Sequence, residues 1–457
     1  MTKLRFAISL SALSLLVACN SSGREFYVSV GGRTSAAGTL ADPLESIQSA
    51  LNRAGAGDTV FIRGGRYPLN REIQVPHSGA PGRWLIVQGF EKESVQIDGS
   101  QLTDENPQFS EMATFNLKGV RYVRVQNVGV TNSHNMGFVV RGPQTDHIEL
   151  IACRSDRSYN SGIGIWYADH VTLLRCEVTG ANDQDLRSPR QRLEHEAPHE
   201  AISLAGARYF DVASNEVHHC MKEGIDCKEV SAHGRVHHNF VHDMPRQGLY
   251  ADAWFGLLED VEFDSNTVTR CEWGVGISVE GAGAKMDDVR LHHNVIFNNR
   301  ASGILFGVWG TDGPRRNISI YNNTIYGNGT RKHWAGSTGG IDMRSGNISR
   351  VRIFNNICSQ NYAFSIATFA PPAETDGVMK DKDVVVENNW LDGGVPVDEG
   401  GGVFNHTYPY AGASHFDGSP MLVDPTHGDF RPQPGSPTLG KGETVPEIGG
   451  GKNLGAL

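Results

Sequence analysis

VEFDSNTV (Val261–Val268), VRLHHNVI (Val289–Ile296), ISIYNNTI (Ile318–Ile325) and VRIFNNIC (Val351–Cys358) are versions of one unit: an apolar-alternating strand, an Asn, then a short apolar pair. Working outward, the unit recurs as RVQNVGV, LLRCEV, DVASNEV and RVHHNFV on the amino-terminal side and as VVVENNWL on the other. Its markers are Asn127, Cys153, Cys176, Asn215, Asn239, Asn266, Asn294, Asn323, Asn356 and Asn389, in steps of 26, 23, 39, 24, 27, 28, 29, 33 and 33 residues. A period mostly in the twenties, with period-two alternation and no helical pattern between units, predicts an all-β solenoid of short stacked strands. Asn at the same turn of every coil would bond its neighbours through the side-chain amide. Cys153 and Cys176 occupy that column in adjacent coils. Leucine-rich and paired-helix repeats are excluded, because neither the leucine consensus nor amphipathic helix pairs are present.

A companion strand in each unit starts at a small residue: GFVVRG, GIGIWY, AISLAG, GIDCKE, GLYADAW, GVGISVE, GILFGV and GIDMRS. Alternation sends Ile163, Ile165, Ile202, Leu204, Ile225, Cys227, Leu249 and Ala251 inward, a uniformly apolar set. Outward, charge concentrates in two coils. With coils about 4.8 Å apart and alternate strand residues about 6.7 Å apart, Asp226, Lys228, Tyr250 and Asp252 form one square on the surface. Glu200 and Glu223 come just before these strands, and Trp254, Glu280 and Trp309 just after them. Trp166, Trp254 and Trp273 supply faces for sugar rings, while Gly164, Ser203, Gly276 and Gly307 leave a groove floor open. The long step of 39 residues holds an inserted loop, ANDQDLRSPRQRLEHEAPHE, whose Arg187, Arg190 and Arg192, with Arg141 in an earlier coil, are candidates for holding an acidic sugar. The bland reading of the square is a surface ion pair between Lys228 and Asp252 beside a solvated Asp226.

The ends and the composition bound the rest. Lys3 and Arg5 precede an uncharged run from Phe6 to Ala18, too short to span a bilayer, that reads as an export signal. LVAC (Leu16–Cys19) resembles the bacterial lipobox, which implies lipidation at Cys19; Asn20 then implies sorting to an outer membrane. Residues 1–18 are thus assigned to the signal, 19–95 to a tether and cap, 96–395 to the solenoid and 396–457 to a Gly- and Pro-rich tail. No second apolar stretch reaches membrane-spanning length, so the anchor would be lipid alone, and a net charge of −10 disfavours nucleic acid. The other cysteines lack a CxxC pair, which argues against zinc; most are expected to be buried, with Cys153 and Cys176 the best placed to pair. The strings VHHC, HHNFVHD and LHHNV recur beside the Asn column and are read as stacked structural histidines.

The repeat resembles the right-handed parallel β-helix of pectate-lyase-like proteins, over residues 95 to 395. The segment FYVSVGGRTSAAGTLADPLESIQSALNRAGAGDTVFIRGGRY also resembles that superfamily, and implies a strand, helix, strand cap in which Leu44, Ile47 and Leu51 close the open end. Lys228 in EGIDCK is similar in position to the catalytic lysine of family 9 pectate lyases. That resemblance implies β-elimination of a uronic-acid glycan, with Lys228 as base and Arg246 and Ca²⁺ lowering its pKa. Glu200, Glu223, Asp226 and Asp252 are the candidate calcium ligands. The aspartate-rich strand of those lyases reads HEAISL here. A second reading is inverting glycoside hydrolysis by Asp226 and Asp252, whose Cβ atoms would lie about 8 Å apart, with Tyr250 and Glu280 assisting. PHE at Pro198–Glu200 more weakly resembles a strand of alginate epimerases. A monomeric carbohydrate-binding surface protein is the non-enzymatic alternative.

Overall fold

The computed structural model describes residues 23–102, 113–186, 197–329, 338–368, 383–392 and 415–456. Strands of 2 to 8 residues assemble into three parallel sheets of 13, 11 and 13 strands, and within a sheet, apart from the first pair of one and the last pair of another, each strand is followed by the one three places later in the chain. One coil therefore contributes one strand to each sheet, the architecture of a right-handed parallel β-helix. Inward residues of successive coils in the eleven-stranded sheet, Ile163, Ile202, Ile225, Leu249, Val275 and Ile304, are fully buried and stack upon one another.

The Asn column is a hydrogen-bonded ladder. From Asn215 through Asn239, Asn266, Asn294, Asn323 and Asn356 to Asn389, each Nδ2 donates to the next Oδ1 at 2.9–3.0 Å. The backbone N–H of each donates to the same oxygen, so one amide satisfies two donors of the coil before it. The preceding residue takes a left-handed conformation, φ +53° to +59° at Ser214, His238, Ser265, Asn322 and Asn355. Asn127 is misplaced in the expected column. It aligns with Ala152 at the left-handed position, and the ladder position of that coil belongs to Val128. Cys153 and Cys176 do occupy the column in adjacent coils, as buried free thiols. An unanticipated second ladder joins Asn299, Asn328 and Asn361 at the next turn. The histidines beside the main turns stack as rings: His218 lies 5.0 Å from His242, and His292 4.7 Å from Tyr321.

At the amino-terminal end, strand Glu25–Val28 pairs with Thr59–Ile62, and between them helix Ile47–Leu51 starts at Ser46, whose side chain accepts from Ser49 N. Leu44, Ile47 and Leu51 are buried, which is the cap the sequence predicts. The solenoid begins earlier than residue 96, however. Strands Thr59–Ile62, Gly65–Pro68 and Ile73–Gln74 already form a complete coil, invisible to the marker search because the turn between its first two strands is Arg63–Gly64, without an Asn. At the other end the tail is irregular but docked: His415–Phe416 adds a last strand, and Leu422, Phe430 and Leu454 pack with Ile357 and Trp390. Asn322, Asn355 and Asn388 donate to the tail carbonyls of Asn453, Glu443 and Lys441. Among the described residues, no helix is long and apolar enough to cross a membrane. Cys19 and the leader lie outside the described residues.

Candidate active site

The register places the four residues as the alternation requires. Strand Ile225–Lys228 pairs with Gln247–Ala253 so that Asp226 faces Tyr250 and Lys228 faces Asp252. What alternation did not foretell is their burial: Asp226, Lys228, Tyr250 and Asp252 are 1%, 6%, 3% and 4% exposed. They point away from the solenoid core yet are covered by turns and by long neighbours, so they are not a solvated surface pair.

Lys228 Nζ lies 2.8 Å from Glu200 Oε2 and 2.9 Å from Oε1, and Ser203 Oγ donates to Oε2 at 2.9 Å. His199 Nδ1 stands 3.4 Å from Nζ, and its ring meets the edge of Trp166 at 4.6 Å. Trp254 Nε1 donates to Asp252 Oδ2 at 2.6 Å and fixes that carboxylate, while the indole stays half exposed. Tyr250 donates a short hydrogen bond to Glu280 and meets Trp309 edge-on at 5.9 Å; Trp309 in turn meets Trp273 at 5.6 Å. Gly276 is required here, since a Cβ would fall 2.7 Å from the Tyr250 ring.

Burial disfavours the Lys228 ammonium, but Glu200 and then Asp226 outweigh it, so its pKa lies above the ordinary value. Burial alone would raise Glu200; Lys228 and His199 reverse that and hold it at about 2. Asp226 is pushed well above the usual carboxylate range by burial, Glu200 and Asp252, and Asp252 by burial, Glu280 and Glu200. His199 is lowered to about 4 by burial and by Lys228, and is neutral at pH 7. The expectation that the lysine's pKa falls is thereby corrected. The Arg246 guanidinium donates to Glu223 at 3.0 Å.

The donor set fits a hard cation in its chemistry. Glu223 Oε2, Asp226 Oδ1 and Asp252 Oδ1 are buried oxygens without a hydrogen-bond partner, which a bound Ca²⁺ would satisfy. Glu200 is the exception among the four predicted ligands, because Lys228 and Ser203 already engage both of its oxygens. Among the described residues, clusters with ligand atoms within 4.8 Å of one another occur elsewhere and do not include these carboxylates. Trp166, Trp254, Trp273 and Glu280 flank the square. Arg141 does not: it stands three coils from Lys228 through Trp166 and Ala205 in the same column, about 14 Å away. Arg190 lies outside the described residues. His199 was missed as a site residue, although PHE held its signal, and Ser203 was read as mere floor.

Fold and site together define a parallel β-helix protein with a buried charged centre and aromatic walls on one side face. Residues 26–335 match the family model described as the Pel9A-like, right-handed β-helix region, and the chain belongs to that family. Residues 286–410 also match a model described as disaggregatase related. The chain is 31% identical over 144 residues to pectate lyase PEL9 of Emericella nidulans, a match spanning 30% of this chain and 34% of that protein's length. It is 25% identical over 351 residues to the uncharacterised protein YwoF of Bacillus subtilis, covering 69% and 71% of the two chains. The crystal structure of pectate lyase Pel9A superposes with a TM-score of 0.53 at 16% identity over 96% of both chains.

Proposed function

We propose that the protein is an exported lyase that cleaves an acidic, uronic-acid-containing polysaccharide by β-elimination at Lys228. The observation that carries this reading is the buried Lys228 Nζ, 2.8 Å from Glu200 in the strand register beside Asp226 and Asp252. β-Elimination needs a base for the proton next to the sugar carboxylate and positive charge for the enolate that results. Ca²⁺ held by Glu223, Asp226 and Asp252 would supply that charge and neutralise two of the three carboxylates that help keep Lys228 protonated. Lys228 would then lose the support of Asp226 and Asp252 while its burial and Glu200 remain, and that loss moves its pKa down toward the operating pH. Glu200 and His199 hold the amine in place, and Trp254 and Trp309 present apolar faces to sugar rings. The leader and the cysteine at its end support export with a lipid anchor.

A second reading, inverting hydrolysis by Asp226 and Asp252, is supported by the raised pKa of both carboxyls, either of which would serve as the acid. The test is a panel of acidic and neutral polysaccharides, with and without Ca²⁺. Unsaturated, ultraviolet-absorbing products from an acidic glycan, lost with EDTA, support the lyase; new reducing ends without such products favour hydrolysis. Binding without any product refutes both and leaves a carbohydrate-binding surface protein.

A further inference from the structure

We propose that Asp146, His147 and His170 form a transition-metal site, selective for an ion such as Zn²⁺, at the starts of the paired strands Asp146–Ile151 and Asp169–Leu174, just past the Trp166 end of the charged face. His147 Nδ1 and His170 Nδ1 approach the same oxygen, Asp146 Oδ1, at 2.8 Å and 2.9 Å. All three ligand atoms lie within 4.8 Å of one another. The His147 approach is not a hydrogen bond: its Nδ1 is shielded from solvent and has no partner, although the ring is part exposed. Such a nitrogen is costly to leave unsatisfied, and a coordinated cation removes the cost.

The two rings are held in place by their neighbours. His147 and His170 adopt left-handed backbone conformations, φ +54° and +50°, at equivalent positions of adjacent coils. They stack on each other at 4.6 Å between Tyr122 (4.5 Å from His147) and Tyr209 (4.8 Å from His170). Two imidazoles and one carboxylate make a set that suits Zn²⁺ rather than Ca²⁺, which takes oxygen ligands, so the site differs in kind from the carboxylates on the face.

Two other clusters of histidines and carboxylates are already neutralised by arginine. In His219, His242 and Asp243, Arg270 donates to both oxygens of Asp243 at 2.7 Å and 2.8 Å. In Glu262, Asp264 and His292, Arg235 donates to both oxygens of Asp264 at 2.6 Å and 2.8 Å. Asp146, by contrast, meets the two imidazoles through one oxygen. Because the ligands come from two adjacent coils, a bound ion would clip those coils together.

The test is titration of the intact, metal-stripped protein with ZnCl₂ by calorimetry, with thermal unfolding in parallel. The expected result is one saturable site that raises the unfolding midpoint and that excess Ca²⁺ does not displace. Changes outside the ligand shell commonly weaken a metal about 10- to 100-fold, so losing a ligand in His170→Ala or Asp146→Asn weakens this site by about 100-fold or more. His242→Ala should bind as the parent does. X-ray absorption at the zinc edge should report two imidazole nitrogens. Absence of saturable uptake, or uptake unchanged in both His170→Ala and Asp146→Asn, overturns the proposal. Circular dichroism checks that each substitution, that of the buried His242 included, leaves the fold intact.

Discussion

Replacing Glu200 by Gln removes the charge that holds Lys228 while keeping the side chain's size and its bond to Ser203. Its pKa moves from 4.5 to about 2 in the folded protein, a shift worth about 3 kcal/mol at about 1.36 kcal/mol per unit. Breaking one side of a buried ion pair costs about 3–5 kcal/mol by an independent route, and the two side chains here are only 8% and 9% exposed. Glu200→Gln should therefore lose about 3 kcal/mol of stability at pH 7. The sign of the pH dependence follows from the lowered pKa. The stabilisation is fully present above the unfolded value near 4.5 and disappears as pH falls through about 2, so the gap between parent and variant should close over that window. Denaturant unfolding of both proteins across that range measures it. A gap below about 1 kcal/mol at pH 7, or one that persists undiminished at the acid end, refutes the account of this pair.

Asn266→Ala deletes the donor to Asn294 Oδ1 and the acceptor of Asn239 N and Nδ2, all fully buried, and should cost about 3 kcal/mol or more in denaturant unfolding. Gly276→Ala places a methyl 2.7 Å from the Tyr250 ring and 2.9 Å from the Gln247 side chain; kcat/KM on the cleaved glycan should fall about 100-fold as Tyr250 is displaced. Trp254→Phe keeps an aromatic face but loses the hydrogen bond to Asp252, so kcat should fall about tenfold with KM little changed, whereas Trp254→Ala should raise KM as well.

The repeat made the solenoid legible because strand alternation and the Asn turn are local signals, repeated coil after coil. It failed where the signal is absent. The first coil, Thr59–Gln74, has Arg63–Gly64 and no Asn at the ladder turn, and Val128 holds the ladder position that Asn127, one residue earlier, was expected to fill. The face was legible for the same reason: inward Ile225 and Cys227 fix Asp226 and Lys228 outward. Its depth was not, because Trp309, His199 and Glu280 reach the square from other coils and from turns, and a strand pattern says nothing about what leans over it. The charge state of Lys228 was misjudged because it depends on a sum over Glu200, Asp226 and Asp252 in space. Arg246, close to the square in sequence, spends its charge on Glu223.

The central claim, that Lys228 takes a proton from an acidic sugar, is most directly tested by comparing products of the parent, Lys228→Arg and Asp252→Asn on one acidic polysaccharide with Ca²⁺ present. Arginine keeps the positive charge but does not give up its proton, so Lys228→Arg should lose about 100-fold or more of the rate at which unsaturated, ultraviolet-absorbing ends appear. Unsaturated product at an undiminished rate in Lys228→Arg, or reducing ends without unsaturation that vanish only in Asp252→Asn, would contradict it.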